Sequence, residues 1–182
     1  RLSAILDRDG LSTHVNHDAL SHAPTQIIGP FGHVTTLGVD GEGYLNHVAN
    51  PENESFDMTY YPGTGLLHTW TDPKLQPHSF EYDFLTGRLT KDSNPAGGFK
   101  SLNRLPVAGG YEVNITTALG RKTSYEVTKS QQGAKTRLVE APSTLTSVAT
   151  TSINGTQTVT FPDQTTVLTE PAEHTLALLL SR

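Results

Sequence analysis

The sequence predicts an all-β protein of stacked antiparallel β-hairpins, because turn motifs recur with a period of about 22 residues. One set of turns ends in glycine at intervals of 22 residues, at Gly43, Gly65, Gly87 and Gly109. A second set lies between them, with first residues spaced by 21 or 22 positions: Asp7, Gly29, Asn50, Asp72 and Asn94. The segments between turns alternate apolar and polar residues, as β-strands do. Such units bury apolar surface only against their neighbours.

The second set of turns has a recognisable chemistry. An aspartate or asparagine in first place accepts a hydrogen bond from the backbone two residues later, and a proline such as Pro73 after Asp72 fixes φ. The fourth residue needs a positive φ, which glycine or asparagine adopts most easily. This predicts that turns close at Gly10, Gly32, Asn53 and Gly97. Leu75 breaks the pattern, and we expect its turn to be one residue longer.

Apolar positions repeat in phase with the turns. Residues five positions after the residue that closes each turn of the second set form one column, and we expect them on one face of the sheet: Val15, Leu37, Met58, Phe80, Leu102 and Tyr125. Residues 1–121 carry regular repeats, 122–170 a degenerate continuation richer in Ser and Thr, and 171–182 a C-terminal tail with the pattern of a capped helix.

The segment Phe80-Glu-Tyr-Asp-Phe-Leu-Thr-Gly-Arg-Leu-Thr90 resembles the hallmark of Rhs/YD repeats. Asp72-Pro73 upstream and Gly120-Arg121 downstream are similar to the other half of that repeat, and the resemblance covers about residues 5–130 well. It implies a spiralling β-sheet shell, of which this chain is an arc. It also implies that Asp83, Gly87 and Arg88 are structural turn residues. Gly65 is predicted to be one as well, because it ends a turn of the first set.

In that family the shell encloses a cargo domain in bacterial polymorphic toxins, and forms part of a cell-surface adhesion module in teneurin-like proteins. The resemblance therefore implies a secreted or cell-surface protein. The sequence lacks the Asp-Pro-x-Gly signature that accompanies self-cleavage at the end of such shells. It begins at Arg1 without a signal-peptide pattern, and we interpret it as a segment of a longer protein.

Composition argues against several other classes of protein. The net charge of -5 and the scattered distribution of 13 Lys and Arg residues disfavour a nucleic-acid surface. No apolar run is long enough to span a membrane, and the absence of cysteine excludes disulfides. No Gly-x-Ser-x-Gly or P-loop motif is present. We therefore expect no catalytic residues and no cofactor.

Two groups of residues remain as candidate sites. His14, His17 and His22 are close in sequence, but His14 and His17 would point to opposite faces of a strand, so we expect no metal site. Trp70 and Tyr61 are candidate ligand-binding aromatics, because such rings stack on sugars. Phe80 and Tyr82 are expected on the inner face, and Trp70, in a mostly polar column, on the outer one.

Three functions follow in order of preference. The first is a non-enzymatic shell segment whose partners are flanking repeats of the same polypeptide, or other copies that pair with its exposed strand edges. The second is an adhesion or glycan-binding sheet that uses the aromatics around Trp70. The third, an enzyme, requires a pocket of convergent titratable residues that the sequence does not predict.

Overall fold

A computed structural model describes residues 1–171, and within that range the chain forms only β-strands, turns and loops. The chain divides into two compact units, Arg1–Phe99 and Lys100–Arg182. The predicted all-β fold of antiparallel hairpins is confirmed. Apart from Pro171, the tail predicted at 171–182 lies outside the described residues.

The first unit contains nine strands, and each pairs antiparallel with the strand next to it in sequence. The strands are β1 (Ala4–Leu6), β2 (Ser12–His17), β3 (Pro24–Ile28), β4 (Val34–Val39), β5 (Leu45–Ala49), β6 (Ser55–Tyr60), β7 (Leu67–Thr71), β8 (Pro77–Asp83) and β9 (Arg88–Ser93).

The second unit follows the same rule, with sequential antiparallel pairing of the strands that the structure describes. These strands are β10 (Phe99–Val107), whose first residue closes the first unit, β11 (Gly110–Thr117), β12 (Lys122–Lys129), β13 (Lys135–Glu140), β14 (Thr146–Thr151), β15 (Gln157–Thr160) and β16 (Thr166–Thr169).

An aspartate or asparagine side chain organises most turns of the second set. In the Asp72 turn, the carboxylate Oδ1 accepts the backbone N–H groups of Lys74 and Gln76, both at 2.9 Å. The same pair of bonds, to residues two and four positions on, is made by the first residue of three other turns of this set, Asp7, Asn50 and Asn94. Asp40 makes it in the turn of the other set that ends at Gly43. The side chain thus satisfies two amides that the reversing backbone leaves without a strand partner.

Two turns differ from the sequence prediction. Leu75 does not lengthen its turn, because it adopts a φ of 59° and its N–H donates to the Asp72 carbonyl at 2.9 Å, as glycine does elsewhere. In the turn after β2 the positive φ falls on His22, at 66°, and not on Ser21, where the period of 22 residues would place it. That turn is therefore one residue longer than the repeat predicts.

The register gives each sheet two distinct faces, since directly opposed residues on antiparallel strands point to the same side. One face of the first unit carries the larger apolar and aromatic side chains, and we name it the apolar face: Val15, Ile27, Leu37, Val48, Phe56, Met58, Trp70, Phe80 and Tyr82. The polar face opposite carries Gln26, Thr36, His47, Asp57, Thr69, Ser79, Glu81 and Lys91.

Neither unit has a buried core in its described part. Among the described residues only Ala49 and Asn114 are buried, at 7% and 9% exposure. The apolar face is half-buried by neighbouring side chains of the same layer, and many larger apolar side chains are exposed outright. Each unit is therefore a single layer of sheet, whereas stable domains ordinarily pack at least two layers.

Gly29 provides a test of the turn chemistry, because it stands where other turns have aspartate or asparagine. A Cβ at Gly29 would have the carbonyl oxygen of His33 as its nearest contact, at 3.7 Å, so a side chain fits. We expect Gly29→Asp to be more stable than Gly29→Ala by about 1 kcal/mol, since only aspartate accepts the two turn amides. Thermal and urea unfolding of both variants measure this difference. Equal stability of the two would contradict the proposed role of the side-chain oxygen.

Candidate functional site

A row of rings crosses strands β6, β7 and β8 on the apolar face. Phe56 and Trp70 lie nearly parallel, with ring centroids 5.4 Å apart and an interplanar angle of 9°. Trp70 also lies 5.0 Å from the ring of His78, its directly opposed partner on β8. Phe56 remains 37% exposed. The row forms a broad apolar surface that is suited to packing against another molecule or another part of the chain.

Trp70 lies on the same face as Phe80 and Tyr82, whereas the sequence predicts that it lies on the opposite face. It pairs with Met58 and His78, and the side chains of His78, Phe80 and Tyr82 follow at two-residue steps along β8. The expectation is wrong because the period of 22 residues puts the earliest turn of the first set at Ser21, which assigns the polar Gln26 to the column of Trp70. Counted from His22, the column of Trp70 contains Ile27 in place of Gln26 and lies on the apolar face.

Tyr61 belongs to a second aromatic group, at the end of β6. Its ring centroid is 4.4 Å from that of His68, 4.9 Å from Phe84 and 6.1 Å from Tyr82, the last two edge-on. The Tyr61 hydroxyl donates a hydrogen bond to the carbonyl oxygen of Phe80 at 3.0 Å. Burial raises the pKa of Tyr82. Tyr61 thus ties the β6–β7 turn to β8, and its hydroxyl already has a partner.

A third pair of rings adjoins one of the predicted turn glycines. Tyr44 and Tyr60 lie 5.0 Å apart, and the Tyr60 hydroxyl donates to the carbonyl oxygen of Leu45 at 2.6 Å. The Tyr44 ring passes over Gly65, where an added Cβ would meet its atoms at 2.9–3.1 Å. Gly65 therefore provides space for a ring from the neighbouring hairpin as well as a positive φ of 69°.

The remaining predicted turn residues occupy hairpin ends. Positive φ angles occur at the closing positions: Gly10 (82°), Gly32 (81°), Asn53 (62°), Gly87 (67°) and Gly97 (82°). Pro73 is exposed and follows Asp72, whose carboxylate accepts hydrogen bonds from two backbone N–H groups. Asp83 accepts the Thr86 hydroxyl at 2.8 Å, and this bond, the Leu85 amide and the charge of Arg88 opposite it hold the pKa of Asp83 below its usual value.

The polar face contains a hydrogen-bonded group of three side chains that no sequence motif predicts. His47 Nδ1 lies 2.7 Å from Asp57 Oδ1, and the Ser55 hydroxyl donates to Asp57 Oδ2 at 3.0 Å. These hydrogen bonds, first that with His47 and then that from Ser55, lower the pKa of Asp57. The serine bonds to the carboxylate and not to the imidazole, so the group lacks the base–nucleophile contact of a hydrolytic triad.

Within residues 1–171, no three His, Cys, Asp or Glu side chains converge as metal ligands would. In the same range there is no helix long and apolar enough to cross a membrane.

Sequential hairpins, turns that begin with Asp or Asn, and the Tyr-Asp-…-Gly-Arg unit around Tyr82 and Gly87 define a YD-repeat β-sheet protein. A family model described as the teneurin YD-shell matches residues 1–181. The chain belongs to the teneurin YD-shell family, and it is a structural shell module.

Gly65 and Gly87 form a matched pair for testing the aromatic packing. Their φ angles are 69° and 67°, but a Cβ at Gly87 would meet nothing within 4 Å. We expect Gly87→Ala to cost about 1 kcal/mol from backbone strain alone. Gly65→Ala should cost about 1–3 kcal/mol more, because the Tyr44 ring must move. Chemical denaturation of the two variants gives the difference, and similar losses would show that the Tyr44 contact is unimportant.

Proposed function

We propose that this chain is a non-catalytic part of the wall of a shell that encloses a polypeptide cargo, in a large secreted or cell-surface protein. The single observation that carries the proposal is the apolar face of the first unit. It is rich in aliphatic and aromatic side chains, yet in the described part of the chain no second layer covers it.

The composition of that face supports a role in contacting another polypeptide. Removing apolar surface from water is favourable by about 25 cal/mol per Å². Large contiguous apolar patches on a protein therefore mark interaction surfaces. The face is also poor in charge: in the described strands of the first unit Asp92 is the only carboxylate placed on it by the register. A surface of this composition resembles one side of a protein core, which favours a polypeptide as the occupant.

The resemblance to bacterial polymorphic toxin shells supports a toxin as the class of cargo. A structural role agrees with the arrangement of the polar groups. On the polar face, His47, Asp57 and Ser55 form a cluster that is closed by its own hydrogen bonds across β5 and β6. We therefore assign that cluster to strand pairing and not to chemistry.

Photocrosslinking tests which face contacts the cargo. Benzoylphenylalanine is placed at Phe56 on the apolar face, or at Thr59, which is on the polar face of the same strand, in the native polypeptide that contains this sequence. We expect position 56 to crosslink to a protein segment enclosed by the shell, and position 59 to give no such product. Mass spectrometry of the products identifies the contact.

The Thr59 position serves as the control for crosslinking that reflects collision alone. Equal products from the two positions, or none from position 56, would count against an enclosed cargo on the apolar face.

The alternative function, adhesion through glycan recognition, is favoured by the parallel rings of Phe56 and Trp70 at the surface. If this function holds, Trp70→Ala should weaken retention on a glycan panel by about tenfold, since a central aromatic contributes strongly to binding. Tyr125→Ala, which removes an aromatic of the second unit that is 41% exposed, should leave retention unchanged. Absence of glycan binding by the unmodified chain would eliminate this alternative.

A further inference from the structure

The second unit separates its charges between the two faces of its sheet. The register places five cations on one face of the described strands: Lys100, Arg104, Lys129, Lys135 and Arg137. No aspartate or glutamate of those strands shares that face. The acidic residues lie on the opposite face, which we call the acidic face and which also carries Lys122: Glu112, Glu126 and Glu140. We call the first of these the basic face of the second unit.

The cations of the basic face lack neutralising partners in the described part of the chain. All five are exposed, and within residues 1–171 none forms an ion pair with a carboxylate. Lys129 stands directly opposite Lys135 on the neighbouring strand, and like charges in that position destabilise a sheet. In the isolated layer this clustering of cations is unfavourable. An anionic partner bound over the face would turn the electrostatic contribution of these cations into a favourable one.

Apolar side chains lie between the cations. Val113, Val127 and Val139 share the basic face, and each is half-buried by its neighbours. The guanidinium of Arg104 lies 4.1 Å from the ring centroid of Tyr111, a cation–π contact that covers the aromatic surface. Aliphatic side chains gain little from a nucleic-acid or polysaccharide backbone, but they do gain from the apolar side chains of a protein.

We propose that the basic face of the second unit docks an acidic amphipathic segment of polypeptide. The inference rests on the proposed function, because an enclosed cargo is the natural occupant, and it adds the chemistry of the segment that lies against this unit. Carboxylates would pair with the exposed cations while apolar side chains pack on the three valines. Charge complementarity of this kind selects the partner and its orientation.

The test compares two variants with the same change in net charge. The first neutralises four cations of the basic face: Arg104→Gln, Lys129→Gln, Lys135→Gln and Arg137→Gln. The control neutralises four cations elsewhere, in turns or on the acidic face: Arg8→Gln, Lys74→Gln, Arg121→Gln and Lys122→Gln. The probes are a labelled synthetic amphipathic peptide of Leu, Ala and Glu, its counterpart with Lys in place of Glu, and a single-stranded oligo-dT.

Fluorescence anisotropy on the full chain should show binding of the Glu peptide only. The basic-face variant should lose roughly 10- to 100-fold in affinity, since four exposed charge pairs are removed. The control variant should stay within about twofold of the unmodified chain. Circular dichroism checks that both variants keep the sheet.

Three results would overturn the proposal: equal losses in the two variants, equal binding of the Lys peptide, or oligo-dT binding as tight as that of the Glu peptide. The last would make the face a general polyanion site. None of these affects the crosslink from Phe56 in the first unit, so failure of the acidic preference is distinguishable from failure of the shell wall.

Discussion

The hydrogen bonds from one aspartate or asparagine side chain to two backbone amides are the interaction on which these sheets most depend. A single layer has no core to hold its strands in place, so each hairpin must be closed locally. The oxygen of Asp7, Asp40, Asn50, Asp72 or Asn94 fixes the direction in which the chain leaves its turn. That direction sets the register of the next strand, and the register decides which side chains share a face.

Two surfaces of different chemistry follow from that register. Because side chains alternate along a strand, the same nine strands of the first unit present an apolar face and a polar face. In the second unit the alternation separates charges by sign, with Arg137 on one side and Glu126 on the other. We therefore infer that partners bind to whole faces of the sheet, where they can contact several strands at once.

Much of the fold could be predicted from the sequence because the turn residues are chemically specific. Glycine, asparagine and aspartate at a fixed period predict hairpins, and Asp72-Pro73 and Gly87 stand at hairpin ends in the structure. The prediction failed where another residue adopts the left-handed conformation. Leu75 and His22 do so with no signal in their side chains, and the error at His22 put Trp70 on the wrong face.

The candidate surfaces were less predictable than the fold. The contact between Phe56 and Trp70 depends on strand register across a turn, which the sequence does not display directly. The cations of the second unit are scattered along the sequence, and only the pairing of strands such as β12 and β13 reveals that they share a face. Period and turn chemistry are local properties, whereas the make-up of a face is a property of several strands together.

The strictly sequential pairing within each unit also has a consequence for how the protein is made. Every described strand of a unit finds its partners among the strands immediately before and after it, so no strand waits for a distant segment to be synthesised. Each hairpin can form as soon as it leaves the ribosome, and synthesis at about 5–20 residues per second supplies a new repeat every few seconds. The growing sheet then templates each arriving strand in order, which limits the opportunity for mispairing among repeats of nearly identical pattern.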